Sequence, residues 1–208
     1  MAETVRAFVA VELPDEVKEY LWQLQEKLQS YAATRVARWA DPWEAHLTLK
    51  FLGEVPIPRL PAIVAALDEV AERREPFTMR LADLGAFPNV YRPSVLWVGV
   101  EEGRQQLVAL ADSVEATLKP LGFKPERREF QPHITLARLR RDATPRQRRE
   151  LGELVGPTPV PDFPATTVSH VSLIRSLLLP QGSRYVRLSH SAFGEAPPLQ
   201  ADDWEDIE

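Results

Sequence analysis

Apolar and polar positions change their period along the chain, and each change marks an element. Residues 6–12, Arg-Ala-Phe-Val-Ala-Val-Glu, form a short apolar run that reads as a strand. Pro14, Asp15 and Glu16 then open a helix to about residue 31, with Val17, Leu21, Leu24 and Leu28 at helical spacing. Residues 36–39 predict a short strand before the Asp41-Pro42 turn, and an apolar strand follows, closed by Gly53. Residues 58–74 carry Leu60, Ile63, Val64 and Leu67 on one helical face. Strands are predicted at 77–84 and 95–100, joined by a loop over 86–93, and a third helix at about 104–118, ended by Pro120 and Gly122. Thr144 and Pro145 suit the N-cap and first turn of a short basic helix to about residue 154. Residues 168–177 and 184–189 read as a closing hairpin across Pro180-Gln-Gly-Ser183. Residues 195–208 are proline-rich, then acidic, and read as a tail.

Within this pattern one tetrapeptide recurs. His46-Leu47-Thr48-Leu49 and His133-Ile134-Thr135-Leu136 are both His-x-Thr-x with apolar x. On a strand, His and Thr point to one face and the aliphatic residues to the other. Each segment therefore offers an imidazole and a hydroxyl over an apolar back. The order strand, helix, motif strand, helix occurs in both halves. An α+β protein follows, with mixed or mainly antiparallel sheets and two pseudo-equivalent lobes. The motif strands are expected at the centre of their lobes, lining a cleft. Residues 1–194 are read as one domain made of those two lobes.

Composition narrows the classes. The 208 residues are 44% hydrophobic and 26% charged, an ordinary soluble balance. No apolar run approaches the ~20 residues that cross a membrane. The residues after Met1 lack a basic segment leading into a long apolar core, so a cytoplasmic protein is expected. With no Cys, disulfides and thiolate metal sites are excluded. The net charge of −5 argues against a long track along nucleic acid, although not against a short terminus or a nucleotide. Basic residues cluster at Lys124, Arg127 and Arg128, and again from Arg138 to Arg149; most are expected on a solvated surface. A monomer is expected.

The two motifs and their surroundings resemble the 2H phosphoesterases. Within them the chain is similar to the RNA 2′,3′-cyclic phosphodiesterases, historically called 2′-5′ RNA ligases. The resemblance runs to about residue 194. It is carried by Arg6-Ala-Phe-Val-Ala-Val, His46-Leu-Thr-Leu-Lys-Phe-Leu-Gly-Glu-Val55, Leu84-Gly-Ala-Phe-Pro88, Val95-Leu-Trp-Val-Gly-Val100 and Gln131-Pro-His-Ile-Thr-Leu-Ala-Arg138. It implies two α+β lobes with antiparallel sheets around a cleft, and hydrolysis of RNA 2′,3′-cyclic phosphate ends to 2′-phosphomonoesters. It also implies His46 as proton donor and His133 as proton acceptor, Phe51 as a base-stacking ring and Arg138 as a phosphate ligand.

The residues can support such chemistry. Two imidazoles can share proton removal from water and proton delivery to a leaving ribose oxygen. The Thr48 and Thr135 hydroxyls can donate to the phosphate oxygens. No cofactor is expected, because two His on separate strands make a poor zinc pattern. Phe51 and Arg138 each lie five residues past a motif His, so strict alternation turns both away from the site unless the strands twist or bulge. Lys50 has the right parity and is a further phosphate candidate. His170 and His190 lack the Thr partner and are expected to be structural or exposed. Ligation of the cyclic end to an RNA 5′-hydroxyl, a non-catalytic nucleotide- or RNA-binding role, and a smaller cyclic phosphodiester substrate stay open.

Overall fold

The computed structural model describes residues 3–179 and 182–194. Among them the elements run β1 (Thr4–Glu12), α1 (Asp15–Gln29), β2 (Ala37–Trp39), β3 (His46–Pro56), α2 (Leu60–Glu72), β4 (Phe77–Phe87), β5 (Val95–Glu102), α3 (Arg104–Leu118), β6 (His133–Leu139), α4 (Pro145–Gly152), β7 (Thr166–Val168), β8 (His170–Leu179) and β9 (Gly182–Ala192). Every sequence-predicted strand and helix within these residues is present, with boundaries moved by a few residues. The expected helix over 58–74 loses its first turn to a 3₁₀ turn, Ile57–Arg59, and starts at Leu60 with Pro61 inside its first turn. Thr144 caps α4 as expected, in a reciprocal pair with Gln147. The β8–β9 hairpin forms, but its turn residues 180 and 181, like the tail 195–208, lie outside the described residues.

Two antiparallel sheets result, giving the expected α+β class. The first has strand order β3-β1-β8-β9 and the second β2-β6-β5-β4-β7. The motif strands, expected at the centre, lie instead towards the margins. β3 is the edge of its sheet, and β6 is shielded from the edge of its own by three-residue β2. Those two margins meet, with β3 and β6 in contact across a seam. The reason is topological. The motif strand of each half returns antiparallel beside the half's first strand, on its outer side, with only short β2 beyond β6.

The lobes also exchange helices. On α1, Leu28 lines a small apolar cavity together with Leu84 of β4, Leu96 of β5 and Leu151 of α4, at the second sheet. Gln25 of the same helix is buried and donates Nε2 to the carbonyls of Ala40 and Leu136. α3, from the second half, packs instead on α2 and β3 of the first lobe. One continuous core runs through both lobes. Among the described residues no helix is long and apolar enough to cross a membrane.

Candidate active site

The motif strands repeat one backbone device. Along His46–Leu52 the side chains run half-buried, buried, half-buried, buried, buried, exposed, half-buried, and His133–Leu139 give the same series. The doubled buried positions mark a bulge. In β3, Ala10 faces Thr48 and Val9 faces Lys50, so Leu49 is skipped. In β6, Trp97 faces Thr135 and Leu96 faces Ala137, so Leu136 is skipped. One extra residue reverses the parity of everything beyond it. Phe51 and Arg138 are thereby turned onto the faces that carry the histidines and threonines. Strict alternation pointed them away.

The same bulge removes Lys50 from the site, which corrects its reading as a phosphate candidate. Lys50 is turned to the core side and is 2% exposed. Its ammonium lies 2.6 Å from Glu115 of α3 and donates to the Lys124 carbonyl at 2.9 Å. A buried charge needs such partners, and these leave it no reach into the seam.

Each histidine is held in the same way. His46 Nδ1 is 2.9 Å from the Glu44 carbonyl, and His133 Nδ1 is 2.7 Å from the Gln131 carbonyl. A carbonyl only accepts, so Nδ1 carries the hydrogen and Nε2 is the nitrogen left for proton exchange. Neither the Thr48 nor the Thr135 hydroxyl is engaged elsewhere among the described residues. Aromatic rings fix both imidazoles. Phe8 stacks on His46 at 4.6 Å between ring centroids and Tyr185 meets its edge at 4.7 Å. Phe87 meets His133 edge-on at 4.8 Å, with Trp97 at 6.2 Å. Gly85 faces Trp97, and a Cβ there would fall 2.1 Å from the indole, so only glycine lets that ring lie over β4.

The electrostatics differ between the lobes. Burial pushes His46 below the ordinary imidazole value, opposed by the Glu44 carbonyl and by the Glu12 carboxylate. Burial also lowers His133; the Gln131 carbonyl opposes it, and the Arg138 guanidinium lowers it further. Glu12 was not anticipated. It ends β1 directly opposite His46. Burial would raise its pKa, but His170, Arg187 and Ser172 hold it well below the usual carboxylate range. Arg187 grips it with two nitrogens at 2.7 and 2.9 Å, Ser172 donates at 2.6 Å, and His170 Nε2 lies 3.6 Å away. His190 packs edge-on against His170 at 5.6 Å. The parity of β1 was the available signal: Phe8, Ala10 and Glu12 alternate with core-facing Val9 and Val11.

Several basic residues have structural duties. Arg148 donates to the carbonyls of Pro93, Ala143 and Arg140, and Arg146 pairs with Glu150. A hollow lies elsewhere, among Glu69, Arg73, Phe77 and Thr117, without a motif residue in its lining.

This fold and these motifs agree with the comparisons with known proteins. The family model described as the 2′-5′ RNA ligase superfamily matches residues 13–178. The chain belongs to that family. A relative named RNA 2′,3′-cyclic phosphodiesterase, from Methanothermobacter thermautotrophicus, is 34% identical over 181 residues, 87% of this chain and 95% of the relative. Among solved structures, a Thermus thermophilus protein superposes with a TM-score of 0.74 at 31% identity, covering 91% of this chain and 98% of that one. E. coli LigT, crystallised with 3′-AMP, gives 0.75 at 26% identity, covering 93% of this chain and 100% of that one.

Proposed function

We propose that this chain hydrolyses RNA 2′,3′-cyclic phosphate ends to 2′-phosphomonoesters, using two histidines and no metal. The observation that carries the reading is the duplicated motif: two imidazoles with Nδ1 tied to a carbonyl two residues back, each with a free threonine hydroxyl, on β3 and β6, two strands in contact. The name of the Methanothermobacter relative supports the substrate class.

Water attacks phosphorus in line with the bond to the ribose 3′ oxygen. His133 Nε2 takes the proton from water, and His46 Nε2 gives one to the departing 3′ oxygen. The phosphate stays on the 2′ oxygen. The local charges support this division. Glu12 favours an imidazolium at His46, and Arg138 disfavours one at His133. Thr48 and Thr135 donate to the non-bridging oxygens as charge builds there. Arg138 neutralises the phosphate, and the Phe51 ring, 60% exposed, stacks on the terminal base. The protein works as a cytoplasmic monomer on a short RNA end.

Ligation uses the same groups with an RNA 5′-hydroxyl in place of water, and the family description favours keeping it as a second reading. Phosphorus NMR of a short RNA ending in a 2′,3′-cyclic phosphate tests both. The enzyme is dialysed against EDTA, and excess 5′-hydroxyl RNA is added in one arm. A 2′-phosphomonoester in both arms supports hydrolysis, and a 2′-5′ diester in the second supports ligation. An intact ring overturns both readings. Loss on chelation, with recovery on adding zinc or manganese, overturns the metal-free mechanism.

A further inference from the structure

The β2–β6 ladder contains an electrostatic conflict. Arg38 stands directly opposite Arg138. Directly opposed residues share a face of the sheet, so Arg38 lies on the face of Arg138. Like charges so placed are unfavourable. The other ladders avoid this: Arg6 faces Glu54 between β1 and β3, and Arg80 faces Glu102 between β4 and β5. Arg38 and Arg138 are both exposed. Among the described residues neither has a carboxylate within salt-bridge distance, and neither donates a hydrogen bond to protein. A bound polyanion would relieve the conflict.

Charge counting suggests how many phosphates. A 2′,3′-cyclic phosphodiester carries a single negative charge, which Arg138 alone balances. Arg38 supplies a second cation. A terminal nucleotide held by its cyclic phosphate at the histidines and by its base on Phe51 has one handle left, its 5′ oxygen. In an RNA chain that oxygen carries the internucleotide phosphate. Reach is compatible. His133 and Arg138 face Gly99 and Val95, four ladder steps apart, or about 14 Å of strand. Arg38 therefore stands beside Arg138 at the end of the ladder away from His133, next to the cation proposed for the reacting phosphate.

We infer that Arg38 is a specificity-determining residue that binds the first internucleotide phosphate, so that the enzyme selects oligonucleotide ends over free nucleoside 2′,3′-cyclic phosphates. This rests on the proposed hydrolysis and adds a substrate preference to it.

The test compares adenosine 2′,3′-cyclic phosphate, which has a free 5′-hydroxyl, with the dinucleotide ApA ending in the same cyclic phosphate. Wild type should prefer the dinucleotide in kcat/KM by roughly tenfold or more at low salt, the size expected of a charge-assisted contact. Arg38→Ala should collapse that ratio towards one, and Arg38→Lys should retain part of it. Because Arg38→Ala removes a repulsion and no partner, its melting temperature should hold or rise. Equal use of the two substrates by wild type overturns the inference, as does an unchanged ratio in Arg38→Ala. A melting temperature that falls by several degrees also overturns it, since Arg38 would then be structural. Hydrolysis of neither substrate by wild type overturns the proposed function itself, a result distinct from hydrolysis without preference.

Discussion

The two motif strands are alike in backbone and unlike in surroundings. β3 and β6 share the burial series, the bulge and the bond from Nδ1 to the carbonyl two residues back. They part at the fourth and fifth residues past His, where Lys50 and Phe51 answer to Ala137 and Arg138. They part again in the nearest charge, Glu12 beside His46 and Arg138 beside His133. The repeated device presents an imidazole and a hydroxyl, which the proposed acid and the proposed base both need. The neighbours tell the two apart, as the proposed substrate, with a base at one end and phosphates at the other, would require.

The sharpest way to break the comparison is to remove either imidazole. His46→Ala and His133→Ala should each lower kcat by roughly 10²–10⁴-fold; if one variant keeps its rate, the repetition is not functional. Next is Arg138→Ala, expected to cost about 10²-fold in kcat on every cyclic substrate. Lys50→Met should leave kcat nearly unchanged yet destabilise the fold by about 1–3 kcal/mol, because Glu115 loses its partner. Urea unfolding measures that loss, and a variant as stable as wild type would show the ion pair to be idle. Phe51→Ala should raise KM up to about tenfold for substrates with a base, with a smaller effect on a base-free cyclic phosphate. The smallest effect concerns pH. Burial lowers both histidines, so kcat/KM should peak below about 6.5. Glu12→Gln removes a group that raises His46, so the alkaline limb should move to lower pH. Glu12 itself, held below its ordinary value of 4.5, stabilises the fold above that pH. That contribution is lost as pH falls towards its folded value. The melting-temperature gap between wild type and Glu12→Gln should therefore narrow from about pH 6 to about pH 3.

Much of this was legible in the sequence because it is local. Periodicity located the strands and helices, and two matched His-x-Thr segments supplied the four residues proposed for the chemistry. The family implied by the quoted segments is the one the chain belongs to. Non-local features were hidden. A bulge depends on the partner strand, so neither the turn of Phe51 and Arg138 onto the histidine faces nor the burial of Lys50 could be read from alternation. Glu12 is a single acid in an apolar run, and its importance depends on β8 and β9, more than 150 residues away in sequence. The marginal position of the motif strands follows from sheet order, which short-range pattern does not contain.

The exchanged helices bear on how such a molecule could be taken apart. The loop between β4 and β5 divides the sequence between its motifs, and cutting there yields no two self-sufficient pieces. The N-terminal fragment would keep β3 without α3 to cover it, and it would lack β8 and β9. The C-terminal fragment would keep β5 and β6 with no α1 to support them. Each would expose bare apolar sheet until it met the other. Reconstitution by fragment complementation, rather than autonomous folding of a half, is the behaviour this weave imposes.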